Sequence, residues 1–275
     1  MKKFPDVEEL VLGKNVKIEE NVSMKGKKVV IGEETIIRRG TRINVSEYLE
    51  IGKKSLIGEN NRIMGRDIRT GREFYSNHSA EIGGGSCFEK TSKLTIGYWF
   101  HLGSYSMINT AMEVKIGNEV GMGRFTNIYT HGAYLSILNG FPVAFGPINI
   151  GNNVWMPGAI VNPNVNIGDN VVIGVGSLVL NDLPSGCLAA GVPCRIIKEN
   201  CFPQKLSLEQ KCKIIEQINS LWELGMEYQR DGVYKVDASY IDFENMQFTG
   251  NASRKSERAR NILRRHGMRF KVDII

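Results

Sequence analysis

Aliphatic residues recur every six positions along much of the chain. Ile31, Ile37 and Ile43 form one run, and Ile51, Ile57 and Ile63 another. Ile96, Leu102 and Ile108 follow, then Ile116, Met122 and Ile128, and finally Ile167, Ile173 and Val179. The pair Ile-Gly marks the same rhythm, from Ile31-Gly32 to Ile173-Gly174. A period of six is neither the helical 3.6 nor the strand alternation of two. It predicts a solenoid of short strands, each placing an aliphatic side chain inward, with the glycine letting the backbone bend at a corner. Three faces make a coil of about eighteen residues, and coils stack about 4.8 Å apart. A β-sandwich would alternate every two residues instead, with turns about every ten.

The rhythm breaks twice. Residues 64–81, MGRDIRTGREFYSNHSAE, are polar with no inward aliphatic rhythm, which predicts a loop leaving the coil. The second break lies within YTHGAYLSILNGFPVAFGPINIGNNVW, Tyr129 to Trp155, where a long uncharged segment begins at His131. Long loops in compact domains usually carry function. After Cys201 the rhythm ends. Residues 206–232 predict a helix: Ser207 and Gln210 form a capping box, Cys212, Ile215, Ile218 and Trp222 give an apolar face, and Gly232 follows its end. Short strands follow in VYKVDASYIDFENMQFTG, then a second helix stopped by Gly267, then a final strand in MRFKVDII. The expected division is a repeat domain over 1–200 and an α+β appendage over 201–275, which would cap the open edge of the last coil.

Hydrophobic residues make up 42% and charged residues 23%, enough to bury a core. No apolar run reaches the length of a membrane span. The start, MKKFPDVEEL, has a basic pair without an apolar stretch behind it, so no signal peptide and a cytoplasmic location are expected. Five cysteines with no Cys-x-x-Cys pair point to reduced thiols, with neither disulfides nor a metal site. The net charge of +6 equals that of residues 251–275 alone, where eight cations face Glu257 and Asp273. Such a tail could meet an acidic polymer, an anionic surface or nucleic acid, or be a solvated helix face with Ile262, Leu263, Phe270 and Val272 packed beneath. Nothing else in the chain supports nucleic-acid binding.

NIGNNVW (149–155) and NPNVNIGDNVVIGVGSLVLNDLPSGCLAAGVPCRIIK (162–198) resemble the final coils of galactoside and maltose acetyltransferases. These belong to the hexapeptide-repeat acyltransferases, and the resemblance covers roughly residues 10–200. It implies a mainly β fold: a left-handed parallel β-helix of hexapeptide repeats with a small C-terminal α+β appendage. The hand comes from the family, since parallel crossovers are otherwise right-handed. In the family a loop leaves the coil at a histidine just upstream of the IGNNVW line. Here that residue is His131, which the resemblance implies is the general base. The chemistry agrees: acyl transfer from a thioester to a hydroxyl needs a proton removed, and a neutral imidazole can take it.

The resemblance further implies acetyl-CoA as co-substrate and a homotrimer with sites between neighbours. Arg195 and Lys198 match the family's cations for the coenzyme phosphates, and Trp155 and Gly176 match positions along its pantetheine groove. The expected reaction is O-acetylation of a sugar or glycan, with the basic tail as a possible contact for an anionic acceptor. The alternative is N-acylation of an amino sugar, free or nucleotide-linked. A γ-type carbonic anhydrase would need three zinc histidines, and the spacing of His78, His101 and His131 does not resemble its pattern. A non-catalytic scaffold is the remaining reading. Two departures stand out. The step from Met156 to Ile167 is one residue short of two hexapeptides, and Gly103 and Ala111 stand where galactoside enzymes place an acceptor-holding asparagine and aspartate. The uncharged loop Gly132–Gly146 suits a neutral sugar face.

Overall fold

The computed structural model describes residues 4–273, so Met1, Lys2, Lys3, Ile274 and Ile275 lie outside the described residues, as do the side chains of Val272 and Asp273. The chain divides into two compact units, Met1–Pro203 and Gln204–Ile275.

The first unit is a parallel β-solenoid with three flat faces, matching the expected left-handed β-helix. One coil shows the plan. Val114–Ile116 lies on the first face, Gly121–Met122 on the second and Asn127–Ile128 on the third. Among the described residues the second face holds nine parallel strands, from Lys17–Ile18 to Leu188–Ala190. The six-spaced residues stack in columns. On the third face Met24, Ile43, Ile63, Ile82, Ile108, Ile128, Val161 and Val179 are register partners from coil to coil, and all are buried. Each such side chain contributes about 1.5–3 kcal/mol by leaving water.

The glycine of each Ile-Gly pair has a different purpose from the one its position suggests. Except at Gly83, its φ is not left-handed; the left-handed residue comes two positions later, as at Glu119 and Asn153. The glycine is needed for close approach, because a Cβ on Gly117 would lie 2.7 Å from the Gly151 carbonyl oxygen of the next coil. The residue after the glycine completes the corner. Asn152 Oδ1 accepts from the Asn118 N–H at 2.9 Å, Asp169 Oδ1 from the Asn152 N–H at 2.6 Å, and Ser185 Oγ from the Asp169 N–H at 3.0 Å.

Residues 64–81 are not a loop. They form a regular coil through Arg62–Thr70, Phe74–Ser76 and Glu81–Gly83. The rhythm continues there as Ile68, Phe74 and Ala80 and as Thr70, Ser76 and Ile82, all buried. Thr70 and Ser76 hide it, and each finds a partner inside: the Gly52 N–H donates to Thr70 Oγ1 (3.3 Å), and Asn61 Nδ2 donates to Ser76 Oγ (3.2 Å). Phe74 stacks on Phe100 of the next coil, with centroids 5.6 Å apart. The true excursions are residues 84–92 and 129–147, and both leave the corner between the third and first faces.

In the N-terminal coils, opposite charges face each other one coil apart: Lys28 and Glu9 (2.7 Å), Lys27 and Glu47 (3.2 Å), Lys53 and Glu33 (3.5 Å), Arg39 and Glu59 (3.3 Å). Hydrogen bonds from the Arg39 backbone and from the Arg38 side chain hold the Glu19 carboxyl below the usual carboxylate range.

The second unit packs α1 (Leu208–Trp222) and α2 (Arg254–Arg265) with a five-stranded sheet. The Ser207–Gln210 capping box forms as expected. The helix stops ten residues before Gly232, because Glu223 turns left-handed and the Asn219 side chain bonds the Met226 backbone in both directions (2.8 and 3.0 Å). Gly232 instead shares a tight turn with Asp231, both at positive φ, between strands Glu227–Arg230 and Val233–Val236. Two of the tail's cations serve this unit itself. Arg258 donates to the carbonyls of Trp222 (2.8 Å) and Glu223 (3.1 Å) at the end of α1, and Arg260 pairs with Glu257 at 2.6 Å. Ile262 and Leu263 are buried in its core. Among the described residues no helix is long and apolar enough to cross a membrane. The five cysteines are free, and burial pushes the thiols of Cys87, Cys187 and Cys194 up.

If Ile-Gly glycines serve close approach, Gly117→Ala should destabilise the fold by about 1–3 kcal/mol, the usual cost of overpacking. Glu119→Gly, at a left-handed position, should not. Urea unfolding of the two variants checks this, and equal midpoints would contradict it.

Candidate active site

His131 stands at the root of the longer excursion. His131–Gly132 pairs antiparallel with Ala144–Phe145, which closes the neck of the loop. The imidazole stacks on the Phe145 ring, with centroids 5.3 Å apart and planes 21° from parallel.

The residue that orients this ring is Asn109, buried at the end of the third-face strand one coil earlier. Its Nδ2 donates to the carbonyls of Gly83 (3.1 Å) and Gly85 (3.3 Å), which can only accept. That fixes Oδ1 on the other side, where it lies 2.9 Å from His131 Nδ1 and accepts from Thr130 Oγ1 at 2.5 Å. An amide oxygen is an acceptor only, so Nδ1 carries the proton and Nε2 of the neutral ring keeps a free lone pair. A Cβ on Gly85 would sit 3.4 Å from that Nε2. The glycine run Gly83-Gly84-Gly85, the root of the shorter excursion, therefore leaves the space before the lone pair open. Gly83 and Gly84 hold φ values of 123° and 96°, which other residues rarely adopt.

The other four expected residues gather elsewhere. Trp155 is exposed on the second face, its ring lying where a Cβ of Gly121 would be. Trp155, Val172, Leu188 and Lys198 are register partners, so they form one outward row. Strand Arg195–Lys198 returns antiparallel along Leu188–Ala190 with a bulge, pairing Arg195 with Ala190 and Lys198 with Leu188. The bulge matters, since residues three apart in a regular strand point to opposite sides. Here both cations point outward, and both are exposed. Gly176 turns the corner beside this face at φ 72°, its N–H bonded to the Gly158 carbonyl at 3.1 Å.

His131 and this group do not meet within one chain. The corner of Gly158 and Gly176 and the corner of His131 bound opposite ends of the third face, roughly 15 Å apart for a strand of that length. The missing hexapeptide residue falls at Pro157-Gly158, where one left-handed glycine makes the turn. Gly103 is packed against the backbone of Gly123, and Ala111 is buried, so neither offers a side chain to a ligand. His78 accepts or donates to Ser104 Oγ (3.2 Å) and meets Tyr105 edge-on, away from this corner. His101 is half-buried on the second face. Among the described residues no three His, Cys, Asp or Glu side chains gather where they could hold a metal.

No family model matches the chain. Galactoside O-acetyltransferase of Escherichia coli K12 is 59% identical over 54 residues, 19% of this chain and 27% of that protein. A putative acetyltransferase of Saccharomyces cerevisiae is 38% identical over 112 residues, 39% of this chain and 57% of that protein. The matches thus span less than two thirds of these relatives' lengths. A solved galactoside acetyltransferase in complex with coenzyme A is 29% identical, with a TM-score of 0.33, covering 58% of this chain and 65% of that one. In its repeat, its coil and these relatives, the chain matches the hexapeptide-repeat acyltransferases.

Proposed function

We propose that the protein is an acyltransferase that moves an acetyl group from acetyl-CoA to a hydroxyl of a sugar or glycan. The observation that carries this reading is the Asn109–His131 pair, which leaves a basic Nε2 facing an open glycine-floored space. His131 Nε2 takes the acceptor's hydroxyl proton as that oxygen attacks the thioester carbonyl. The tetrahedral adduct collapses with loss of the thiolate, which receives the proton from His131. The products are an acetyl ester and free coenzyme A. Arg195 and Lys198 would bind the coenzyme phosphates, with Trp155 and Gly176 along the pantetheine.

This arrangement needs a second copy. The residues assigned to the coenzyme lie a face-width from the histidine, so a neighbour's second face must approach the His131 corner. A homotrimer meets that requirement for all three sites at once. The bare tip of the 129–147 excursion, with Tyr134 98% and Leu138 92% exposed, supplies apolar surface for such a contact.

Three outcomes are expected from thiol-release kinetics across hydroxyl and amino sugars. His131→Ala should lower kcat by about a hundredfold or more while leaving coenzyme affinity intact. Near-normal turnover would remove His131 as the base. Asn109→Leu should also lower kcat, by about tenfold or more, with little change in KM for acetyl-CoA, because a ring free to take either tautomer is rarely poised. Asn109→Asp, which keeps an acceptor oxygen toward Nδ1, should recover part of the loss. No recovery in Asn109→Asp would reduce Asn109 to a packing role. Arg195→Ala with Lys198→Ala should raise KM for acetyl-CoA and spare kcat, since phosphates far from the thioester contribute mostly uniform binding. An unchanged KM would put the nucleotide elsewhere.

A further inference from the structure

The charge pattern of the N-terminal coils breaks on the third face. Cations at their corners pair with carboxylates one coil away, but here Arg42 and Arg62 are direct register partners. Like charges directly opposite each other in a sheet are unfavourable. Arg62 lies 3.7 Å from Glu81 of the following coil, while the side chains of Arg42 and the exposed Lys25 make no hydrogen bond or ion pair among the described residues. All three line an open cavity of about 600 Å³, together with Ser23, Asn44 and Met64 and with one carboxylate, Asp6, against the three cations.

The cavity lies on the same face that leads to His131. Asn44, Met64, Gly83 and Asn109 occupy one position in successive coils, passing from the cavity to the glycine run before His131 Nε2. That path carries no charge. Arg42 precedes the strand that ends at His131 by four coils, roughly 19 Å at the spacing of paired strands. A nucleotide-linked sugar holds its diphosphate one ring from the reacting hydroxyl, too near to reach this far. An extended chain of sugars reaches it.

We infer that the Lys25–Arg42–Arg62 cavity is a subsite for the anionic groups of an oligomeric acidic glycan, several sugar units from the hydroxyl that His131 serves. The inference rests on the acyltransferase reading for its direction along the face. It places the contact with an acidic acceptor on the solenoid, whatever the basic tail does. The unpaired cations supply charge-assisted hydrogen bonds to carboxylate or phosphate, and the anion in turn relieves the Arg42–Arg62 repulsion.

The test is calorimetric titration of the full chain with galacturonate oligomers from monomer to octamer, the fully methyl-esterified octamer, and poly(glycerol phosphate). Affinity should rise with oligomer length and be lost on esterification. Arg42→Gln with Lys25→Gln should weaken the octamer by about tenfold or more, the loss expected for hydrogen bonds to a charged group. Lys53→Gln with Lys54→Gln, an equal charge change at another corner, should have little effect. Binding of the phosphate polymer but not the galacturonates would keep the subsite and name phosphate as its anion. Binding of neither, equal binding of the neutral ester, or equal losses in both double variants would overturn the proposal. So would a change of oligomeric state in the Arg42 and Lys25 variant, which would make the patch a subunit contact. Acetyl-CoA binding, measured on the same samples, is independent of this subsite, so its absence counts against the acyltransferase reading instead.

Discussion

Everything in the solenoid depends on one requirement: each inward residue must lie directly above its counterpart in the coil below. Parallel backbone hydrogen bonds fix the coil spacing, and the buried columns fix the register. A strand that slipped by one residue would turn its aliphatic side chain to water and a polar one to the core. Added residues therefore cannot go into the faces. They are expelled at a corner, and the long excursions share one corner. That corner is where the chain can vary in length without disturbing a column.

The candidate site follows from that geometry. Two excursions leave the same edge two coils apart, and the strand end of the coil between them carries Asn109. Their roots bring Gly85 and His131 together, and Asn109 selects the tautomer. The solenoid supplies the rigidity, since Asn109 is held by carbonyls of one coil and Thr130 of another. The loop tip adds none of this order. Its exposed apolar side chains suit an encounter between copies, the setting in which the second-face row could reach a neighbour's histidine.

The coil could be read from the sequence because column positions tolerate few residue types. It was misread where the column carries Thr70 and Ser76, whose hydroxyls find partners inside, so that polarity there does not signal a surface. The glycine of Ile-Gly suggested a bend, because contact with the next coil leaves no trace in local sequence. His131 stood out through the loop that begins there. Asn109 did not, although it follows inward Ile108 as Tyr129 follows Ile128. Pairing it with His131 requires the corner lengths, which vary from coil to coil: Ile108 to Ile116 is eight positions, whereas Val161 to Ile167 is six. Register across a variable corner is a tertiary fact. The end of α1 was missed for a similar reason, as Asn219 stops it through a bond to Met226 rather than through a local breaker.

The alternation of charge at the first N-terminal corners ties these coils to their order. Lys14, Glu33 and Lys53 occupy one corner in turn, and Glu20, Arg39 and Glu59 another. A column of isoleucines is indifferent to how many coils lie beneath it, so hydrophobic burial alone would permit a coil to be gained or lost. The charges are not indifferent. Removing the coil of Glu33 and Arg39 would set lysine against lysine and glutamate against glutamate at these edges. Each exposed pair is worth little alone, but coherent mismatch along two edges is a cooperative penalty. The charged edges thus fix the number and order of coils in this stretch, which the isoleucine columns leave open.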